Sequence, residues 1–271
     1  MKSLIPMKQI TNAAELKSIQ LDLLNDLIKI LDENKIDYFL YYGSLLGAVR
    51  HNGFIPWDDD IDIGMTRENY EKFKIIQLQK SNLKISAPGI NLKHPYFFTK
   101  FYTCNYICLE EMDHPLSDMG INIDVFPIDR IPSNMILKYV QDIIINSMLI
   151  LLNAKIVRPS KARGIMRNST HIIIRCFSKL IDPGLLTLMI DKISNYSGPA
   201  VKYGCRASIY RKNESYYKEV YESRIIVAFE GLLCSIPKEF HQILHSIYGD
   251  YWTPPEPSKR VSRHTVNTFR R

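Results

Sequence analysis

The sequence predicts an α/β (more strictly α+β) fold, a mixed sheet flanked by helices and carrying a helical insertion. Up to about Asp129, apolar extended segments alternate with segments of helical periodicity, and a long, mostly helical stretch follows. With 271 residues, 46% of them hydrophobic, the chain can bury a substantial core. We expect a catalytic core over 1–131, a basic helical insertion over 132–195, and a C-terminal part over 196–271 that packs on the core.

The elements follow from local patterns. The first helix begins after a capping box at residues 12–15 and runs to about Glu33, with apolar residues at helical spacing. The further predicted elements, in order, are a strand over 36–42, a helix over 45–50 capped by Ser44, a helix from Thr66 to about Lys80, strands near 83–86, 95–103, 106–110 and 120–126, helices through 132–194, short strands within 200–235 and a helix over 237–248.

The most informative segment is the acidic run that ends in Asp60-Ile61-Asp62. In a strand, residues two apart share a face, so Asp60 and Asp62 project together while the intervening isoleucine faces the core. Two such carboxylates repel unless a cation lies between them, and Mg²⁺ favours a few carboxylates together with phosphate oxygens. Asp58 and Asp59 are candidate bases, Asp58 also a reserve ligand. The alternative is a solvated acidic edge strand.

A third carboxylate occurs in a similar setting. Residues 120–128 alternate isoleucine and valine on one side with Asn122 and Asp124 on the other, which is typical of a half-buried strand. Asp124 can therefore complete a three-carboxylate site for Mg²⁺ or Mn²⁺ beside the first strand. Taken alone, it could equally be a hydrogen-bonded aspartate at a strand end.

A Gly-Ser pair precedes the acidic run. Gly43 allows close approach of a ligand to the backbone, and amides at the start of the following helix can bind phosphate. A strand, a Gly-Ser turn, a helix, an Asp-x-Asp strand and a later single Asp form the layout of the nucleotidyltransferase fold. The combination is specific, although no one of its parts is.

The residues of these motifs closely resemble those of the LicD family. Members of that family are phosphocholine transferases, and the animal fukutin-related protein shares the same core. The matching segments are residues 43–51, 53–63, 124–129, 229–231, 248–251 and 254–255, together with Pro237, Arg260 and His264. The resemblance covers residues 15 to 265 approximately. The zinc-binding cysteine cluster of the fukutin-like branch has no evident counterpart in this chain, which favours the shorter bacterial type.

This resemblance implies a Mg²⁺-dependent enzyme that moves phosphocholine from CDP-choline to a hydroxyl of a cell-surface glycan and releases CMP. It implies Asp60, Asp62 and Asp124 as catalytic metal ligands, and Gly43 and Ser44 as phosphate-binding residues. Ribitol or glycerol phosphate from its CDP donor, or nucleotidyl transfer from an NTP, are the alternatives. A non-catalytic glycan-binding protein is disfavoured, because a decayed site has little reason to keep three like charges together.

Other residues are candidates for substrate contacts. Candidate phosphate contacts are Arg50, His51 and Lys100, although the first two could simply complement a helix C-terminus. A quaternary ammonium group is recognised by aromatic faces. The candidate contacts to choline or another part of the substrate are Trp57, Tyr41, Tyr102, Glu230, Trp252 and His264, the last of these and Glu230 because they match the family pattern.

The charge distribution suggests a further partner. The net charge is +7, and residues 143–181 contain seven basic residues and no acidic one. No nucleic-acid-binding motif accompanies them, so nucleic acid is not an expected partner. Residues 143–154 are uncharged and too few to span a bilayer, but they suit a buried or interfacial helix. We therefore expect peripheral contact with an anionic membrane that presents a lipid-linked glycan. The alternative is a core helix followed by a solvated basic helix.

The number and spacing of the cysteines favour a location in a reducing compartment. Five of them, odd in number and scattered, favour a reducing cytosol, and Cys104 and Cys108 are expected as core thiols on one strand face. The first residues show no long apolar region of the signal-peptide kind. We expect a cytoplasmic protein, peripheral at the inner face of the membrane.

Overall fold

The computed structural model describes residues 8–109, 119–157, 172–176, 178, 181–260 and 267–271. The helices are α1 (Ala13–Glu33), α2 (Tyr42–His51), α3 (Arg67–Lys74), α4 (Met135–Ile156), α5 (Pro183–Ser194), α6 (Lys218–Glu222) and α7 (Phe240–Tyr248), with a 3-10 turn at Pro257–Lys259. The strands are β1 (Lys8–Ile10), β2 (Phe39–Leu40), β3 (Asp62–Thr66), β4 (Leu83–Ser86), β5 (Thr99–Thr103), β6 (Tyr106–Leu109), β7 (Asn122–Pro132), β8 (Ala200–Gly204), β9 (Tyr216–Tyr217), β10 (Arg224–Phe229), β11 (Leu232–Pro237) and β12 (Asn267–Arg270).

The main sheet has the strand order β2-β3-β7-β5-β4. Strands β3 and β7 are parallel, and the other neighbours are antiparallel. The second half of β7 continues beyond β5 and pairs with β8, which in turn pairs with β9. This arrangement confirms the predicted mixed sheet flanked by helices, and it places the start of β7 in the middle of the sheet.

The period-two patterns predicted from the sequence bury the expected side chains. Ile61 and Ile63 before and within β3 are fully buried, as are Ile123 and Val125 of β7. Helix α1 packs its leucine stripe against the same core. Alternation along two adjacent strands therefore puts their apolar residues on one side and leaves their acidic residues on the other.

The two ends of the described chain meet in a second sheet. Strand β12 lies between β1 and β6, and it is antiparallel to both. Strands β10 and β11 form a separate hairpin whose second strand runs beside β2. The C-terminal part thus packs on the residues of the N-terminal part at several places, while the division into 1–131, 132–195 and 196–271 stays a prediction.

Several element boundaries were predicted wrongly. Strand β2 covers only Phe39–Leu40, because the chain turns at Tyr42 (φ 40°) and α2 begins there. Ser44 consequently lies inside α2 and does not cap it. Thr66 does precede α3, but its side chain makes no capping hydrogen bond and the helix ends at Lys74. The strand expected over 95–103 begins only at Thr99.

The helical insertion between β7 and β8 contains α4 and α5, which pack together around Ile145, Leu152 and Ile190. Arg67 of α3 fixes this pair to the sheet, since it contacts Asp129 of β7 and Asp191 of α5, each at 2.6 Å. By length and composition alone, α4 could cross a membrane, and only 17% of its most apolar stretch is buried. The basic residues Arg158, Lys161, Arg163, Arg167 and Lys179 lie outside the described residues.

The cysteines are free thiols. Cys108, Cys205 and Cys234 are buried, Cys104 is half-buried and Cys176 is exposed. Cys104 lies in the turn between β5 and β6 and Cys108 within β6, so the prediction that they share one strand face was wrong.

Candidate functional site

Two of the predicted carboxylates stand side by side at the centre of the main sheet. Asp62 is the first residue of β3, and its register partner on the parallel strand β7 is Asp124. The backbone N–H of Asp124 donates to the carbonyl of Ile61 at 2.9 Å, which fixes the two strands at this point. Neighbouring strands lie about 5 Å apart. The sheet thus brings together two acids that are 62 positions apart in the chain.

Asp58 and Asp60 add their charges to this carboxylate corner, the name used below for Asp58, Asp60, Asp62 and Asp124. Both residues lie in the loop before β3, because the strand begins only at Asp62. Asp58 would share a strand face with Asp62 only if the strand began earlier. Burial, followed by the charges of Asp60, Asp124 and Asp58, raises the pKa of the Asp62 carboxyl well above its usual range. Folding has therefore concentrated like charges where a cation would relieve their repulsion.

Lys100 supplies the positive charge that the structure places at the corner. It is the antiparallel partner of Asp124 on β5, and its Nζ lies 2.7 Å from Oδ1 of Asp124 and 2.9 Å from Oδ1 of Asn122. The lysine side chain is buried and also lies over the ring of Tyr96 at 4.5 Å. Lys100, predicted as a phosphate contact, is thus held directly beside the acids.

The carboxylate corner offers the oxygen donors that Mg²⁺ prefers. Among the residues that the structure describes, no three acidic, histidine or cysteine side chains are gathered closely enough to hold one ion as they stand. Lys100 occupies one oxygen of Asp124. The donor set therefore fits a divalent cation chemically, and binding would require side chains of the corner to turn towards it.

Helix α2 begins against the corner. The hydroxyl of Ser44 accepts a hydrogen bond from the backbone N–H of Asp62 at 2.9 Å, so α2 fixes the first residue of β3. A Cβ on Gly43 would lie 2.6 Å from Oδ2 of Asp58. The absence of a side chain at Gly43 therefore lets the Asp58 carboxylate approach the first turn of the helix. The backbone N–H groups of that turn have no hydrogen-bond acceptor within the helix.

Basic and aromatic side chains surround the other end of α2. Arg50 donates to the carbonyl of Tyr251 at 2.7 Å and to Nε2 of His51 at 2.9 Å. The guanidinium of Arg260 lies 5.3 Å from the ring centre of Trp57, whose ring also approaches His51. Within the described part of the chain, neither arginine has an acidic partner at ion-pair distance. This group can therefore attract an anion.

The surroundings of the histidine in this group disfavour its charged form. Burial, and then the neighbouring Arg50, lower the pKa of His51 below its ordinary value of 6.5. Its ring nitrogen is accordingly an acceptor for the Arg50 Nε–H. These surroundings favour Arg50 over His51 as a source of positive charge, while the predicted contact of His51 with a phosphate stays a prediction.

Glu230 has a structural function that its match to the family pattern did not reveal. Its side chain accepts from the backbone N–H of Phe54 at 3.0 Å, and its own N–H donates to Asn52. A Cβ on Gly53 would lie 2.1 Å from the Glu230 carboxylate, so only glycine fits beneath it. Glu230 thereby holds the loop that leads into the acidic run, and its contact with the substrate stays a prediction.

No sequence pattern indicated a function for Glu214, a buried acid behind α2. Tyr41, at the N-terminal boundary of α2, donates its hydroxyl to Glu214 at 2.6 Å. Burial raises the pKa of Glu214 to about 7, although the hydrogen bond from Tyr41 acts in the opposite direction. This contact joins residues 173 positions apart and holds the turn from which α2 starts.

The predicted aromatic contacts differ in their availability. Tyr41 and Tyr102 are buried in the core, which disfavours the predicted contact of their rings with the substrate. Trp57 is half-buried beside Arg260, and Trp252 is 55% exposed with its ring against Tyr251. His264 lies outside the described residues.

A cleft opens over the carboxylate corner between α1 and the sheet. Its polar lining includes Asp59, Asp60, Lys100, Asn122 and Asp124, together with Gln20 of α1 and Thr268 of β12. Gln20 donates to the carbonyl of Asp59 at 2.7 Å and so fixes the acidic run against α1. Asp60, Asp124 and Lys100 are therefore accessible from the same cleft.

Comparisons with known proteins agree with this geometry. Residues 35–150 match the family model described as "LicD/FKTN/FKRP, nucleotidyltransferase domain", a segment that contains α2, β3, β5 and β7. The lipopolysaccharide cholinephosphotransferase LicD of Haemophilus influenzae is 26% identical over 276 residues, which cover 97% of this chain and 99% of that protein.

Shorter matches extend the relationship. An uncharacterized protein of Rickettsia typhi, RT0683, is 37% identical over 43% of this chain and 36% of its own length. The human ribitol 5-phosphate transferase FKRP is 45% identical over 42 residues, 16% of this chain and 8% of that protein. Residues 35–150 of the chain thus match the LicD/FKTN/FKRP nucleotidyltransferase domain, and nearly the whole chain is similar to a lipopolysaccharide cholinephosphotransferase.

Proposed function

We propose that the protein transfers phosphocholine from CDP-choline to a hydroxyl group of a cell-surface glycan and releases CMP. The observation that carries the proposal is the register pairing of Asp62 with Asp124 at the cleft, next to Lys100 and the start of α2. The full-length similarity to a lipopolysaccharide cholinephosphotransferase supports the choice of transferred group and of acceptor class.

Each side chain has a defined part in the proposed reaction. The acceptor hydroxyl oxygen forms a bond to the phosphorus that bears choline, while the bond from that phosphorus to the bridging oxygen breaks and CMP departs with the electron pair. Asp58 or Asp59 takes the hydroxyl proton. Lys100 donates to a phosphate oxygen, since its ammonium already lies 2.7 Å from Asp124 at the cleft. Phosphoryl transfer of this kind depends mainly on positioning and on charge neutralisation.

A divalent cation completes the proposal. Asp60, Asp62 and Asp124 would hold Mg²⁺, or Mn²⁺ in its place, because the charges of Asp60 and Asp124 act on the buried carboxyl of Asp62 and a cation would offset their repulsion. When bound, the ion would neutralise charge on the two phosphates of the donor. Arg50 and Arg260, together with Trp57, are proposed to receive another part of the donor, and Trp57 offers a ring face for its base or its choline group.

We also propose that the reaction takes place in the cytoplasm. All five cysteines are free thiols, as in proteins of reducing compartments. The acceptor is then proposed to be a glycan, or a lipid-linked glycan, that is still accessible from the cytoplasmic side.

Product analysis tests the proposal without the natural acceptor. The protein is incubated separately with CDP-choline, CDP-ribitol, CDP-glycerol and CTP, each with Mg²⁺ and with EDTA, while water serves as a slow acceptor. We expect CMP from CDP-choline alone, and none in EDTA. Release of CMP from CDP-ribitol alone, or from CDP-glycerol alone, would show that the transferred group is that phospho-alcohol and not phosphocholine. Pyrophosphate from CTP would contradict phospho-alcohol transfer and identify nucleotidyl transfer.

A further inference from the structure

Helix α4 has an exposed side that contains no charge. The exposed positions of the helix are Met135, Ile136, Leu137, Tyr139, Val140, Ile143, Ile144, Asn146, Ser147, Ile150 and Asn153. The charged residues of α4 (Lys138, Asp142 and Lys155) are all half-buried or buried. Ile136 is 76% exposed and Tyr139 is 68% exposed. An exposed helix surface of a soluble protein normally carries charges, so this one is unusual.

Five of the eight exposed apolar residues lie on one side of the helix, with Asn146 and Asn153 among them. The other three, Leu137, Val140 and Ile144, lie further round the helix. At 100° per residue, the side chains of Met135, Ile136, Tyr139, Ile143 and Ile150 fall within an arc of about 100°. We call these five residues the α4 face. The opposite side of the helix is buried against α5 through residues such as Ile145 and Leu152. The α4 face is therefore free on a helix whose position is already fixed.

Charge complementarity identifies what covers this face. From Ile143 to Ile181 the sequence has seven basic residues and no acidic one, so the chain that continues from α4 is strongly cationic. An uncharged, apolar helix stripe followed by a polybasic segment matches an anionic bilayer surface, because acyl chains accept the apolar side chains and headgroups attract the cations. A second copy of the chain would bring the same positive charge against itself.

The helix lies on such a surface and does not cross it. Its buried side holds polar partners: Arg206 contacts Gln141 and Asp142, and Gln141 also donates to the carbonyl of Ile193 at 2.7 Å. Insertion across a bilayer would break these contacts or carry them into hydrocarbon. The anchorage to β7 and α5 through Arg67 fixes α4 in the same way.

We infer that the α4 face binds the surface of an anionic membrane, with α4 parallel to the bilayer. The inference does not depend on the proposed reaction. It concerns a helix that begins beyond the end of β7, and β7 extends for eight residues, about 25 Å, from Asp124 to Pro132.

Vesicle flotation tests the inference with the full chain. The wild-type protein is mixed with vesicles of phosphatidylcholine and phosphatidylglycerol, or of phosphatidylcholine alone, and centrifuged through a density gradient. A triple variant, Ile136→Glu, Tyr139→Glu and Ile143→Glu, places three acids on the α4 face. A control variant, Ile75→Glu, Ile226→Glu and Leu233→Glu, adds the same charge at exposed apolar positions elsewhere, of which Leu233 is 71% exposed.

We expect the wild type to float with the anionic vesicles and less with neutral ones. The bound fraction should fall at least about tenfold in the triple variant and stay within about twofold in the control, because only the first loses apolar contact with the bilayer. The inference would be overturned by a wild type that stays unbound, by equal binding of the triple variant, or by an equal loss in the control. A wild-type dimer that the triple variant abolishes, without vesicle binding, would also overturn it and assign the face to a second copy.

Discussion

The carboxylate corner and the α4 face depart from the usual distribution of residues in opposite directions. The corner gathers like charges around the buried Asp62, whereas the α4 face leaves large apolar side chains in water. Each arrangement costs stability in the isolated chain, and each is relieved by a partner of the matching chemistry. We attribute the first to a cation with the donor phosphates and the second to a membrane surface.

The largest expected effect concerns turnover at the corner. Asp60→Asn should lower the rate of CMP release from the donor by about a hundredfold to a thousandfold, because one charged ligand for the cation is lost. Folding should be unchanged or slightly more favourable, since repulsion with Asp62 is relieved. The rate is measured at saturating Mg²⁺. Asp22→Asn, an exposed aspartate of α1, is the matched control and should keep the wild-type rate. Full activity of Asp60→Asn would exclude Asp60 as a ligand.

The buried acid Glu214 separates the effect of burial from the effect of neighbouring acids, which act together on Asp62 in the carboxylate corner. Burial raises the pKa of Glu214 from 4.5 to about 7. The folded state therefore keeps a proton that the unfolded chain releases, and the resulting stabilisation, complete below about pH 4.5, is lost as the pH rises through about 7. The contribution amounts to about 3 kcal/mol.

Denaturant unfolding at about pH 5 and about pH 8 measures this contribution. The free energy of unfolding of the wild type should fall by more between these two conditions than that of Glu214→Gln, which has no proton to lose. An identical pH dependence in the two proteins would contradict the assignment of the titration to Glu214.

Removing the hydrogen bond between Ser44 of α2 and Asp62 of the corner should have an intermediate effect on the free energy of unfolding. Ser44→Ala leaves the buried N–H of Asp62 without its acceptor and should lower the free energy of unfolding by about 1–3 kcal/mol. Ser147→Ala is the matched control, because this serine is also inside a helix but exposed, and its hydroxyl donates to Ile143. If both substitutions cost the same, Ser44 does not anchor β3.

The smallest effect is expected on the α4 face. Ile143→Ala should change the free energy of unfolding by less than about 0.5 kcal/mol, because the side chain is exposed. Ile145→Ala, two residues further along the same helix, removes a fully buried side chain and should cost about 2–5 kcal/mol. Comparable losses for the two variants would show that the α4 face is packed in solution.

Local patterns predicted the parts of the site that depend on period and spacing. Alternation in the two acidic strands put Ile61 and Ile123 into the core, and it left Asp62 and Asp124 on the other side. The resemblance of the motifs to those of the LicD family indicated that these strands belong to one site. The exact register of Asp62 with Asp124 depends on the parallel pairing of β3 and β7, and no local pattern specifies it.

The errors have a common physical origin in distant contacts. Helix α2 starts at Tyr42 and not near Leu45, because Tyr41 is held by Glu214, which is 173 positions away in the chain. Ser44 therefore became an acceptor for Asp62 instead of a cap. In α4, apolar residues occur on all sides, so periodicity could not distinguish the side against α5 from the exposed side.

The most direct test of the central claim is the response of stability to Mg²⁺ in the wild type and in Asp62→Asn. Without the ion, we predict that Asp62→Asn is at least as stable as the wild type, because repulsion at the corner is relieved. With Mg²⁺, the wild type should gain stability according to its affinity for the ion, whereas Asp62→Asn should gain little. A wild type indifferent to Mg²⁺ and to Mn²⁺, or an Asp62→Asn variant that gains as much as the wild type, would contradict the claim that this corner is built for a cation.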